Sequence, residues 1–205
     1  MLTTPVMAIL RGVEENHLKP LIDVFLNVKI DTVEITMNTD NAPSLLYALK
    51  RQAANKLHIG AGTVTDLTRL KEAIDAGAEY IVTPVVNQDV ITECVKRKIP
   101  VFLGALTPTE IWKAWKLGAK MVKVFPAGLF GPKYFSDIKG PFNDIKLMAV
   151  GGVKPENVES FFKCGASAVA IGGSILSKEQ LNKGDYKEIE SYLISLISKI
   201  PTSEK

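Results

Sequence analysis

Residues Leu117-Gly118-Ala119-Lys120-Met121-Val122-Lys123-Val124-Phe125-Pro126 hold the end of a helix, a turn and a buried strand in one short stretch. Gly118 falls where an amphipathic pattern stops, and glycine is preferred just past a helix end because it takes the left-handed conformation without strain. The apolar run that follows reads as a strand. Alternation places Met121, Lys123 and Phe125 on one face and Val122 and Val124 on the other, which suits valines packed under helices. Lys123 then has two readings. It can turn outward and snorkel between surface helices, or it can face inward, where desolvation lowers its pKa and leaves an amine able to attack a carbonyl. Parity speaks for the inward lysine, but one strand does not decide.

The same punctuation recurs. Ala76-Gly77-Ala78 and Cys164-Gly165-Ala166 also close helical patterns, and lead into Tyr80–Val82 and Ala168–Ile171. Similar apolar runs occupy Val6–Leu10, Thr32–Thr36, His58–Ala61, Val101–Leu103 and Lys146–Val150. Amphipathic stretches lie at 14–28, 42–54, 66–76, 88–97, 108–117, 131–138, 155–164 and 186–200. Thr65-Asp66 and Thr107-Pro108 carry helix-start chemistry, a capping side chain and an N-terminal proline. Strands with continuous apolar character, alternating with helices eight times, predict an α/β fold with a parallel sheet closed as a (β/α)8 TIM barrel. A doubly wound open sheet is the alternative, but no GxGxxG follows the first strand.

Whole-chain properties fit one barrel domain over 1–205, with 201–205 expected to fray as a tail. A net charge of +3 and 23% charged residues, with lysines spread evenly, leave no basic stripe for nucleic acid. Cys94 and Cys164 lack CxxC spacing and read as reduced thiols in a cytoplasmic protein. The run Pro5 to Leu10 is too short for a signal peptide or a membrane span.

In a barrel the chemistry sits at the C-terminal ends of the strands. There the sequence places Arg11, Glu34, Thr63, Pro84, Lys123 and Phe125, and the glycine pairs Gly151-Gly152 and Gly172-Gly173, the second followed by Ser174. Glu34 shares a face with Thr36, opposite Val33 and Ile35. It is either a structural partner for Lys123 or a proton shuttle for a carbonyl held there. Glycine pairs after the last two strands let backbone N–H groups approach an anion closely, and Ser174 adds a hydroxyl. Arg11 can bind a carboxylate through two parallel hydrogen bonds, or can be an exposed charge ending a strand. The two histidines, His17 and His58, have no ligand-spaced neighbours, so no metal site is expected. No G-x-S-x-G elbow is present. An amine, a carboxylate and an anion site imply carbonyl chemistry through a covalent imine, without a cofactor.

These motifs, together with Glu34-Ile35-Thr36, Gly60-Ala61-Gly62-Thr63-Val64, Thr83-Pro84, Lys123-Val124-Phe125-Pro126-Ala127, Gly140-Pro141-Phe142, Gly151-Gly152-Val153 and Gly172-Gly173-Ser174, occur in order from Val6 to Leu176. The set resembles the 2-keto-3-deoxy-6-phosphogluconate (KDPG) and 4-hydroxy-2-oxoglutarate (KHG) aldolases. The resemblance implies a metal-independent class I aldolase, a TIM barrel that assembles as a homotrimer and acts on small molecules rather than on nucleic acid or membranes. It implies Lys123 as the Schiff-base lysine and Glu34 as the general acid/base. It also implies Thr63 at the substrate carboxylate, Pro84 and Phe125 against the pyruvyl portion, and Gly151, Gly152, Gly173 and Ser174 at the phosphate.

Three positions depart from the common pattern. Only five residues precede the first strand, which predicts a more open barrel floor or one covered by a neighbouring subunit. Asn38 stands where many relatives carry a carboxylate-binding arginine, so Arg11 is the expected substitute. Val150 replaces a frequent threonine, as in the branch acting on the 6-phosphogalactonate epimer. The expected reaction is reversible cleavage of KDPG, or of 4-hydroxy-2-oxoglutarate, to pyruvate plus glyceraldehyde 3-phosphate or glyoxylate, with the galactonate derivative as the alternative substrate. An isomerase or synthase that uses Lys123 only as a charge clamp, and a non-catalytic sugar-phosphate-binding barrel, are the readings from other classes.

Overall fold

The structure is a computed structural model and describes residues 3–173 and 175–201. Eight strands close a barrel in chain order: β1 Val6–Leu10, β2 Thr32–Thr36, β3 His58–Gly62, β4 Ile81–Val82, β5 Val101–Ala105, β6 Met121–Val124, β7 Leu147–Val150 and β8 Ala168–Ile171. Every neighbouring pair is parallel, and β8 returns to β1. The helices between them are α1 Leu18–Asn27, α2 Ala42–Ala53, α3 Leu67–Asp75, α4 Gln88–Lys96, α5 Pro108–Lys116, α6 Ala127–Lys139 and α7 Val158–Lys163, followed after β8 by α8 Lys178–Asn182 and α9 Tyr186–Ile197. Among the described residues no helix is long and apolar enough to cross a membrane. This is the (β/α)8 barrel that the strand periodicity predicts.

The side-chain alternation on the strands divides the core in two. Val33, Ile35, Val122 and Val124 pack outward against the helices. Met7, Tyr80, Phe102, Met121, Met148 and Val150 fill the barrel interior. Lys123 falls on the inward set, so the snorkelling alternative is excluded. Glycine makes room inside. A Cβ at Gly60 would stand 2.3 Å from the Tyr80 ring, and one at Gly62 only 2.4 Å from Glu34 Oε1. Both distances are shorter than any carbon contact can be, so β3 must be bare on its inner face for these two side chains to lie there.

The floor does not match the expectation of an opening. Met7, Tyr80 and Met148 are fully buried and Phe102 nearly so, which shuts the barrel from within the chain. The short N-terminal segment also holds its place: Thr3 N–H donates to Asp31, and the Thr4 hydroxyl donates to the Lys29 carbonyl at 2.6 Å. An extra helix is therefore not needed to close this end.

Several helix limits differ from the sequence reading, each for a local reason. Residues Glu15–His17 form a 3-10 turn before α1. Pro20 then occupies the first turn of α1, where its missing N–H costs no hydrogen bond. Helix α6 begins at Ala127 rather than Gly131, and Gly131 (φ +70°) breaks it ahead of Pro132. Helix α7 starts at Val158 because the Asn157 side chain first accepts from Lys154 N–H and donates to the Gly152 carbonyl. Short α8 was not expected. The two expected starts hold, with Asp66 capping α3 and Thr107 forming a full capping box with Glu110 on α5.

Candidate active site

A cavity of about 810 Å³ opens at the C-terminal ends of the strands. Arg11, Thr63, Pro84, Lys123, Phe125, Val150, Gly151, Gly152 and Gly173 all line it. Glu34 lies beneath, 1% exposed, rather than on the wall. The expected Ser174 lies outside the described residues. The motifs scattered from Arg11 to Gly173 thus converge on one space.

Lys123 and Glu34 reach this space from opposite parts of the barrel. The register sets Lys123 beside Gly104 and Met148, and Glu34 beside Ile9 and Gly60. Gly104 is fixed by crowding, since a Cβ there would stand 2.3 Å from the Pro84 carbonyl oxygen. The Lys123 amine is 5.5 Å from the centre of the Phe125 ring.

Burial works on the two groups in opposite directions. Desolvation lowers the Lys123 pKa, and the neighbouring Arg11 charge lowers it further, while Glu34 pulls it back up. Desolvation raises the Glu34 pKa, opposed by Lys123 and Arg11. The physical cause is the same for both: each loses the water that favours its charged form. The result is an amine with increased nucleophile character and a carboxyl that holds a proton more readily than an exposed one. Glu34 Oε2 has no hydrogen-bond partner among the described residues.

The rim is built by the strand-end loops. Thr36 donates to the Leu10 carbonyl at 3.4 Å and shares a 3.1 Å hydrogen bond with Thr39, whose hydroxyl accepts from Gly12 N–H. These bonds tie the end of β1, and with it Arg11, to the end of β2. Thr63 is held at φ +56°, a left-handed conformation that costs a threonine on the order of 1–3 kcal/mol. Gly151 and Gly152 have φ of +86° and +79°, so backbone conformation favours glycine at both, and space requires it at Gly152. Gly128 N–H donates to the Gly151 carbonyl at 2.8 Å, and a Cβ on Gly152 would stand 2.8 Å from the Gly128 Cα. The loop after β7 and the start of α6 are therefore in backbone contact.

Sequence reasoning missed Lys178, which also lines the cavity and stands 3.4 Å from Glu14. The signal was weak: a lysine just after the Ser177 cap, in a helix of five residues. Among the described residues no group of three or more His, Cys, Asp or Glu is placed to hold a metal ion.

A parallel barrel with a buried lysine–carboxylate pair under a glycine-rimmed cavity defines the class to which the molecule belongs. The family model "Aldolase: KDPG and KHG aldolase" matches residues 1–192. The chain is 32% identical over 172 residues to the 2-dehydro-3-deoxy-6-phosphogalactonate aldolase of Escherichia coli K12, covering 83% of this chain and 84% of that protein. It is 28% identical over 189 residues to the KHG/KDPG aldolase of the same organism, covering 91% of this chain and 88% of that protein. A solved structure described as native KDPGal superposes with a TM-score of 0.90 at 28% identity, covering 97% of this chain and 95% of that one. The chain belongs to the KDPG and KHG aldolase family. It is an aldolase, and so a lyase.

Proposed function

We propose that the protein is a class I aldolase that reversibly cleaves a phosphorylated 2-keto-3-deoxy sugar acid to pyruvate and glyceraldehyde 3-phosphate. The observation that carries this reading is the buried pairing of Lys123 with Glu34 beneath the cavity. The neutral Lys123 amine attacks the C2 carbonyl, and loss of water leaves an iminium ion that serves as an electron sink. Glu34 takes the C4 hydroxyl proton, directly or through water, as the C3–C4 bond breaks and its electrons form the enamine. The aldehyde leaves. Protonation of the enamine at C3 and hydrolysis of the iminium then release pyruvate and restore the amine.

Arg11, at the mouth of β1, takes the substrate carboxylate in place of an arginine at Asn38. Thr63 assists it, Pro84 and Phe125 flank the pyruvyl part, and Gly151, Gly152, Gly173 and Ser174 hold the phosphate. The chain acts as one barrel domain in the cytoplasm, a setting that its free cysteines Cys94 and Cys164 fit. Trp112 on α5 and Leu129 and Phe130 on α6 are exposed, and support association of copies into a homotrimer.

The test is covalent capture. Pyruvate with borohydride should label Lys123 irreversibly and abolish activity, while EDTA leaves turnover unchanged. Peptide mass mapping that finds no adduct, or finds it on another lysine, overturns the Schiff-base reading. It would favour a barrel that binds sugar phosphates without covalent chemistry.

Two substitutions map the subsites. Arg11→Ala removes a charge-assisted partner, so pyruvate binding should weaken about 10- to 100-fold. Titration of imine formation against pyruvate concentration measures this. Val150 lines the cavity and offers no hydrogen bond, whereas a threonine there could bond the C4 hydroxyl of one epimer. The wild type should therefore cleave the gluconate and galactonate derivatives within about tenfold of each other, or favour the galactonate form. Val150→Thr should shift the kcat/KM ratio toward the gluconate form by about 2- to 10-fold. A strongly gluconate-selective wild type, with a ratio unmoved by the substitution, would show that this position does not read C4.

A further inference from the structure

Tyr80 is fully buried in the barrel interior, one layer below the cavity, and its hydroxyl has no hydrogen-bond partner among the described residues. Its ring lies over Gly60 and meets Phe102 edge-on, with centroids 5.5 Å apart. The other neighbours in that layer include Met7, Met121 and Met148. A phenylalanine would fill this space equally well without burying a polar atom. The hydroxyl therefore needs a partner, and the geometry of β3 indicates which one.

On the inner face of β3 the Tyr80 ring covers Gly60, and the Glu34 carboxyl covers Gly62, two residues further along. Two residues of strand therefore separate the points that the two groups cover, which makes the Tyr80 ring and the Glu34 carboxyl neighbours in successive layers of the interior. Among the described residues, Glu34 Oε2 is the other buried polar side-chain atom without a partner. The remaining acids that act on Tyr80 are Glu79 and Asp31 at the lower rim. Both are engaged elsewhere: Glu79 with His58 at 3.1 Å, and Asp31 with Thr3 N–H and the Thr32 hydroxyl. The groups facing Glu34 are Lys123 from β6, Arg11 from the end of β1, and Tyr80 from below.

We propose that Tyr80 is a positioning residue for Glu34, its hydroxyl dipole turned toward Oε2 and so favouring the ionised carboxyl from beneath. Lys123 and the substrate approach Glu34 from above, and Tyr80 supplies the opposite anchor. The inference deepens the aldolase reading by giving the acid/base group a support on its buried side.

The test reads Glu34 itself. In protein carrying 13C-labelled glutamate, the Glu34 carboxyl resonance is titrated with pH in the absence of substrate, in wild type and in Tyr80→Phe. Loss of the donor should raise the Glu34 midpoint by about half to one pH unit, while the thermal midpoint stays level or rises. Incorporating 3-fluorotyrosine at position 80 keeps the shape and strengthens the donor, so it should move the midpoint down. This second replacement keeps the proposal open to refutation if Tyr80→Phe misfolds. Midpoints unchanged in both proteins, or displaced in the same direction, would make Tyr80 a core residue only and overturn the proposal. Borohydride capture at Lys123 is scored separately. A Glu34 shift without capture refutes the aldolase mechanism and leaves the Tyr80 assignment standing, while capture without a shift does the reverse.

Discussion

Lys123→Met is expected to lower turnover by about four to six orders of magnitude, because it removes the amine that the proposed mechanism joins to the substrate. Methionine keeps an unbranched side chain of similar length at the same position, between the strand neighbours Gly104 and Met148. Steady-state assay with a coupled pyruvate readout measures the loss, and a tenfold effect would make the lysine a charge clamp. The same substitution carries a second, opposite expectation when combined with Glu34→Gln. The wild type holds an amine and a carboxyl out of water without a contact ion pair between them. Replacing both by neutral groups of similar shape should leave stability unchanged or raise it, by up to about 1–4 kcal/mol. Thermal unfolding of the double variant checks this. A lower midpoint would show that the pair holds the barrel together.

Glu34→Gln alone should reduce turnover by about two to four orders of magnitude, since the shape remains and the proposed proton carrier is lost. Imine formation with pyruvate should persist, more slowly if Glu34 also assists loss of water. The pH dependence separates the two roles. Burial raises the Glu34 pKa, so its ionised form, the proposed base for cleavage, is lost as pH falls through a value above the usual glutamate value of about 4.3. Burial also lowers the Lys123 pKa, so the neutral amine becomes available at lower pH than an exposed lysine allows. The wild-type acid limb belongs to this interacting pair. In Glu34→Gln only the amine is left to titrate. A variant with near-normal turnover and an unchanged limb would return Glu34 to a purely structural role.

Much of this was legible in the chain because barrel chemistry is repetitive. Glycines at 77, 118 and 165 end helices, and the apolar runs after them have a fixed direction, so strand count and order follow from local signals. Parity alone separated Lys123 from its flanking valines. The boundaries were less legible where a side chain competes with the backbone. Asn157 delays α7 by three residues from the expected start, and α6 begins at Ala127, ahead of the expected Gly131, which instead breaks it. The open floor was a misreading because closure depends on side-chain volume, with Met7, Phe102 and Met148 filling the interior at that end. Tyr80 was read only as part of a strand. That its hydroxyl is stranded beneath Glu34 depends on the bare inner face of β3, which no spacing rule reveals.

The meeting of Gly128 with Gly151 and Gly152 has a mechanical meaning. The Phe125 ring also packs on this loop, within 3.3 Å of where a Gly151 Cβ would stand. The ring that lies by the Lys123 amine, the first turn of α6 and the loop after β7 are thus packed together as one block. On the proposed map, one edge of that block grips the far end of the substrate and the other edge shapes the reacting end. A substrate shortened at its phosphate would then lose more than grip. It would leave the block unclamped while the bond is broken, and the missing contact would register in the speed of turnover as well as in affinity.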